Sequence, residues 1–212
     1  MKRFEIITET DARVLEIGST VELAPGGVVT PLARDTLAAR RVTVVATGVT
    51  DPQLPPDLVP VADVRRVVIG SDHSGVALKR ALVLHLRSRG LSVIDVGTDS
   101  TDPVDYPDIA ESVGLAVARK EADAGIVIDG AGIGSAIAAN KIRGVRAAMC
   151  LDETTARYSR EHNGANVLAL GASLLPGTDT AIQIVDLWLG TAMREARYIR
   201  RLMKIRRLEE RS

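Results

Sequence analysis

The stretch AGIVIDGAGIGSAIAANK, residues 124–141, ends an apolar run on a carboxylate, Asp129, and continues with glycines at 130, 132 and 134. Glycines in a strand-to-helix turn let backbone N–H groups converge on an oxygen at the helix N-terminus. That oxygen is commonly a phosphate's, which Asp129 would repel, so the guest of this turn is an open question. The spacing is not the dinucleotide fingerprint, because Ser135 stands where glycine or alanine is needed and the run comes after the third strand of its domain. It is not a Walker loop either, since it lacks the Gly-Lys-Ser/Thr ending.

Other residues of useful chemistry lie elsewhere. GSDHSG puts Asp72 beside His73, a carboxylate and an imidazole that can handle hydroxyls and protons. Asp is also a favoured helix N-cap, so capping alone would explain Asp72. REHN supplies His162, one of three histidines, and Asn163, where a helix gives way to a strand. Tyr106, in DYP, sits in a loop as a ligand-facing ring or as a lid on the core. Arg197 and Arg201 are four apart, hence on one helical face, and could form a fork for a phosphate; a solvated helix is the default for so charged a run. Cys150 closes the apolar run VRAAMC and fits a core position.

These residues need a frame, and the chain supplies alternating patterns. Strand-like runs at 65–70, 91–97, 124–129, 145–150 and 165–170 are separated by segments of helical periodicity. Largely apolar strands alternating with helices predict an α/β domain with a parallel five-stranded sheet covered on both faces, a Rossmann-like three-layer sandwich. Ligand sites in such sheets collect at the carboxyl ends of the strands. Residues 47–64 contain PQLPP and read as a proline-rich linker. They separate a small N-terminal α+β extension, 1–46, from a larger domain, 65–212.

Composition narrows the function. Lysine plus arginine equals aspartate plus glutamate at 27 each, so no overall field draws the protein to nucleic acid or membrane. Aromatic content of 2 % argues against base-stacking modules. A single cysteine excludes an internal disulfide framework and suits a reducing cytoplasm. The charged N-terminus MKRFEIITETDARVLE is unlike a secretory signal, and no apolar run approaches a membrane span.

Taken together, GSDHSGVALK, VIDVGT, DYPDIAE, GIVIDGAGIGSAIAANKIRGVRAA, ARYSREHNGANVLALGA and IVDLWLG with the spaced arginines make residues 65–205 resemble ribose-5-phosphate isomerase B and the galactose-6-phosphate isomerase subunits. The resemblance implies a dimer or tetramer of like chains with shared active sites. It implies isomerisation of a phosphorylated sugar between aldose and ketose through a cis-enediolate, without metal or cofactor. By position, Asp72 and His73 line the sugar and phosphate site and Tyr106 borders it. The turn of Gly130, Gly132 and Gly134 serves the enediolate oxygen. His162 assists ring opening with Asn163 beside it, and Arg197 and Arg201 hold the phosphate. Three positions depart from the ribose enzymes: Asp129 replaces a cysteine base, Ala131 a hydroxyl residue, and Ser173 a phosphate-binding arginine; the glutamate that some members carry at Ser135 is also absent. Two readings stay open: an isomerase of ribose 5-phosphate or another sugar phosphate with Asp129 as base, or a non-catalytic phosphosugar-binding or scaffolding relative in which Asp129 only anchors the loop.

Residues 4–45 resemble, more loosely, N-terminal segments of enzymes associated with bacterial microcompartments, sharing ITE and TPLARD. The resemblance implies a role in assembly or encapsulation, with shell or cargo proteins as partners; a small cap on the oligomer is the alternative. Thr30 before Pro31 predicts a helix start.

Overall fold

The structure is a computed structural model that describes residues 2–46, 58–193 and 196–211, the side chains at 25, 26, 46, 196 and 197 apart. The chain divides into two compact units, Met1–Leu54 and Pro55–Ser212. Residues 47–57 of the proline-rich linker lie outside the described residues.

The first unit runs β1 (Arg3–Ile7), α1 (Glu9–Val14), β2 (Thr20–Val29), α2 (Pro31–Ala39) and β3 (Thr43–Ala46). Its three strands pair in parallel in the order β1-β2-β3. Thr8 and Asp11 form a reciprocal capping box at the start of α1. Thr30 caps α2 with Pro31 in the first turn, as TPLARD predicts. The apolar faces of both helices meet Ile7, Val21 and Val42 to form a separate small core.

The second unit continues with β4 (Arg66–Ser71), α3 (Val76–Ser88), β5 (Ser92–Asp95), α4 (Tyr106–Ala118), β6 (Ala124–Asp129), α5 (Ile133–Ala139), β7 (Ala147–Met149), α6 (Glu153–Glu161), β8 (Val167–Gly171), α7 (Thr178–Gly190) and α8 (Ala196–Glu209). Five strands form one parallel sheet in the order β5-β4-β6-β8-β7. Alternate residues serve opposite faces, as strand geometry requires. Val67, Ile69, Ile126, Ile128, Leu168 and Leu170 pack with α3, α6 and α7, whereas Val68, Val127, Val167 and Ala169 pack with α4 and α5. Both faces are therefore covered, which is why these strands read as continuous apolar runs. The three-layer Rossmann-like α/β architecture expected from the sequence is present. Cys150 is 1 % exposed and lies in the first of these cores; burial raises its thiol pKa, with Ser159 and Thr155 opposing.

Two buried cations brace this frame. Lys79 on α3 places Nζ 2.7 and 2.8 Å from the two Asp95 oxygens and 3.1 Å from Asp99 Oδ1. Arg160 on α6 is also fully buried and donates to the carbonyls of Trp188, Ala165 and Val61. Burial, with a smaller push from Arg146, lowers its pKa to about 10, so it stays charged at neutral pH.

Candidate active site

The order of the strands reverses between β4 and β6: from β4 the chain moves outward to β5, then returns across β4 to β6. In open α/β sheets the crevice at such a switch point, at the carboxyl ends of the strands, takes the ligand. Ser71 pairs with Ile128 at the ends of these two strands, and the Asp72 N–H donates to the Ile128 carbonyl at 3.0 Å. Asp72 and Asp129 are thereby delivered side by side.

Asp129 is 5 % exposed and fully engaged. Its Oδ1 accepts from the N–H groups of Ala131, at 2.7 Å, and of Gly132. Oδ2 accepts from the Ser135 N–H at 2.9 Å. Burial pushes the carboxyl pKa up, but hydrogen bonds from Ser135 and the loop N–H groups outweigh it and hold the group below the ordinary aspartate value. Ser135 Oγ is itself buried without a hydrogen-bond partner, so we assign the lowering to the backbone donors. The apparent clash between carboxylate and anion cradle thus has a local answer: the chain fills much of its own cradle. This corrects the expectation for Gly132, whose N–H faces Asp129 and not a substrate oxygen.

Glycine is required by the backbone at one place in the turn and packs tightly at another. Gly132 has φ +75°, and a methyl group there would stand 2.9 Å from the Gly171 nitrogen. At Gly134 a methyl would fall 2.5 Å from Cζ of Tyr106. The Tyr106 ring therefore lies directly on the turn, half-exposed at the first position of α4. Gly130 is open, with the Ser74 and Ser173 hydroxyls as its nearest neighbours.

Around the β4 end, Asp72 Oδ1 accepts from the Ser74 N–H at 2.9 Å and from its hydroxyl at 2.5 Å. It thus shapes the turn into α3, close to the capping role the sequence allowed. His73 Nδ1 accepts from the Val104 N–H at 3.3 Å, which puts the ring proton on Nε2. Asp72, His73, Tyr106, Asp129 and the glycine turn therefore share the carboxyl edge of the sheet.

The remaining candidates do not. His162 caps the C-terminus of α6 and Asn163 donates to the Tyr158 carbonyl at 3.3 Å, both just ahead of β8. Gly125 pairs with Val167 and Asp129 with Gly171, so the chain before β8 belongs to the amino edge. Four strand residues, roughly 13 Å, separate the two edges. At the amino edge the His162 imidazole is stacked between Tyr158, 4.5 Å away, and Tyr198 of α8, 4.4 Å away. The Arg201 guanidinium lies 5.7 Å over the Tyr198 ring. The Arg197 side chain lies outside the described residues. A cavity of about 540 Å³ also opens at this edge, between α8 and the starts of β4 and β6, and includes none of the candidate residues.

Tyr158 and Tyr198 are absent from the sequence-based candidates. Tyr158 precedes His162 by four in a helical segment, a spacing that places both on one face. Nothing in the sequence foretells that Tyr198, forty residues further on, closes the stack.

A covered parallel sheet with a carboxylate, an imidazole and a glycine turn at its switch point defines an open α/β enzyme scaffold for a small polar ligand. The ribose/galactose isomerase family model matches residues 67–205. Ribose-5-phosphate isomerase B of Escherichia coli is 45 % identical over 147 residues, 69 % of this chain and 98 % of that protein. A putative sugar phosphate isomerase of Rickettsia bellii is 43 % identical over 66 % of this chain and 96 % of its own length. Among solved structures, ribose-5-phosphate isomerase B of Clostridium thermocellum is 48 % identical with a TM-score of 0.68, covering 69 % of this chain and 98 % of that one. The Mycoplasma genitalium enzyme, solved with bound ribulose-5-phosphate, is 38 % identical with a TM-score of 0.66, covering 69 % and 97 %. The chain belongs to the ribose/galactose isomerase family.

Proposed function

We propose that the protein interconverts ribose 5-phosphate and ribulose 5-phosphate through a cis-enediolate, with Asp129 as the base. The observation that carries the substrate is the near-complete coverage of the Escherichia coli enzyme, 98 % of its length at 45 % identity. The base assignment rests on geometry: a buried carboxylate at the switch point, oriented by three backbone N–H groups. Its lowered pKa keeps it ionised at neutral pH, available to take a proton although weakly basic.

In the open-chain aldehyde, Asp129 removes the proton from C2 and returns it to C1. The O2 hydroxyl proton moves to O1, so the C1 aldehyde becomes a C2 ketone with no other reactant. The enediolate oxygen cannot use the donors already given to Asp129. First-turn N–H groups of a helix lack intrahelical acceptors, and Ile133 and Gly134 open α5 beneath Tyr106. They are the donors assigned to the reacting oxygens. Asp72 and His73 hold sugar hydroxyls and phosphate.

Ring opening by His162, the neighbouring Asn163 and phosphate binding by Arg197 and Arg201 require the amino-edge residues at a carboxyl edge. A second copy supplies them, making a site shared between chains. Ile133 and Ile137, one turn apart on α5 and 51 % and 58 % exposed beside the glycine turn, suit such a contact. The oligomer is thus a homodimer or a homotetramer built from it.

Residues 1–46 and the linker lie outside the family match. A separate core favours an independent module, and we assign it to assembly or encapsulation in a microcompartment, with the isomerase otherwise cytoplasmic. Among the described residues no helix is long and apolar enough to cross a membrane. A non-catalytic phosphosugar-binding relative is the second reading, favoured by how fully Asp129 is engaged. Asp129→Asn, assayed with ribose 5-phosphate and a panel of other aldose phosphates, separates the two. The isomerase reading expects a loss of about 10²- to 10⁴-fold; an inactive wild type would favour the second.

A further inference from the structure

At the amino edge one residue with an assigned role is oriented in an unusual way. A catalytic histidine is ordinarily aimed by a hydrogen bond from its second nitrogen to a carboxylate or carbonyl. Among the described residues the carboxylate oxygen that approaches His162 is Glu161 Oε1, 3.9 Å from Nε2, beyond hydrogen-bond reach. The imidazole is held by its faces. Tyr158 lies on one side with an interplanar angle of 15°, and Tyr198 on the other at 28°. Such a sandwich leaves the ring edge, with both nitrogens, as the only part open to solvent or substrate; the side chain is 32 % exposed.

The two tyrosines are anchored differently. Tyr158 rides on α6 four residues before His162 and is 44 % exposed. Tyr198 is 5 % exposed, fixed among Leu58, Met193, Ile199 and Leu202. Tyr198 therefore ties the histidine to α8 through a rigid contact. Arg201, over the outer part of that stack, is brought into the same unit.

We propose that Tyr158 and Tyr198 are positioning residues that clamp the His162 imidazole for sugar-ring opening. This inference rests on the ring-opening role given to His162 under the proposed function. Its chemistry separates cleanly from proton abstraction. Ribose 5-phosphate enters as a closed furanose and must be opened. Ribulose 5-phosphate is open-chain, because its C5 oxygen carries the phosphate and cannot close on the C2 ketone. Solvent deuterium can therefore enter C1 of bound ribulose 5-phosphate through the enediolate without any ring step.

The experiment measures two rates on the full-length protein: turnover of ribose 5-phosphate, and deuterium entry at C1 of ribulose 5-phosphate monitored by proton NMR. The variants are Tyr158→Leu, Tyr198→Leu, the ring-preserving Tyr158→Phe and Tyr198→Phe, and His162→Gln, with imidazole proton shifts recorded as a direct report of stacking. The clamp predicts that each leucine variant loses the upfield ring-current shift of His162 and slows turnover about tenfold, the size expected from losing one aromatic pair. Deuterium entry stays within about twofold of wild type, and the phenylalanine variants keep both rates. Leucine variants that leave turnover unchanged, or that depress both rates equally, overturn the clamp, as does loss of turnover in the phenylalanine variants. If His162→Gln itself leaves turnover unchanged, the ring-opening role fails and the clamp with it. If His162→Gln slows turnover and the leucine variants do not, the clamp alone is overturned.

Discussion

The two edges of the five-stranded sheet organise their candidate site residues by opposite means. At the carboxyl edge Asp129 is held by backbone: three N–H groups of one short turn fix its carboxylate. At the amino edge His162 is held by side chains, two tyrosine rings from two different helices. Backbone cradles are local and are written into a few adjacent residues. Ring stacks are assembled by tertiary packing, and each member can change separately. On the proposed assignment, proton abstraction would be a property of one turn, whereas ring opening would depend on how α8 docks.

The largest effect expected from this contrast is complementation between edges. Asp129→Asn and His162→Gln are each expected to be severely impaired alone. Mixed and reassembled, they form hybrid dimers with one intact site, restoring roughly a quarter of wild-type activity if copies pair at random. No recovery on mixing, with hybrids verified by mass spectrometry, would place both residues in sites that do not cross between chains. Gly132→Ala is next: the positive φ and the nearby Gly171 nitrogen predict a loss of about 3 kcal/mol in urea unfolding. A loss under about 1 kcal/mol would mean that the turn relaxes freely.

A smaller effect concerns acid. Because the folded Asp129 carboxyl lies below its ordinary value of 3.8, its contribution to stability is complete above that value and is lost as pH falls through the lower folded one. The unfolding free-energy gap between wild type and Asp129→Asn should therefore be flat at neutral pH and close only below 3.8. A gap that closes between about pH 5 and 7 would mean a raised pKa. Removal of residues 1–54 should have the smallest effect, changing kcat/KM for ribose 5-phosphate less than about twofold, because the remaining unit spans the whole length of its relatives within a few per cent. A loss of all activity would make the first unit part of the site.

Much of the carboxyl edge is legible in the sequence. Apolar runs of the right length and the helical spacing between them specify a parallel sheet, and the switch point of that sheet gathers the residues at its strand ends. Asp72, His73 and Asp129 lie there for that reason. The competition for N–H donors within the turn is not legible. Whether Asp129 repels an anion or occupies its cradle depends on a rotamer, and spacing carries no rotamer. The direction of the Tyr106 ring is equally hidden in a loop sequence, and only the close approach at Gly134 reveals it. The amino edge is legible only in part: REHN marks His162 and Asn163, but the contact from Tyr198 to His162 crosses 36 residues and leaves no periodic trace. Arg160 departs furthest from its sequence pattern. A charged residue inside SREHN reads as solvent-facing, yet it is fully buried among carbonyl groups and the Trp188 ring.

The most direct test of Asp129 as the base is deuterium entry at C1 of ribulose 5-phosphate catalysed by Asp129→Asn, beside a thermal melt showing the variant folded. Exchange and turnover should fall together by about 10²-fold or more, the size expected from losing a positioned general base. Exchange persisting at the wild-type rate would contradict the assignment and leave Asp129 as the anchor of its turn.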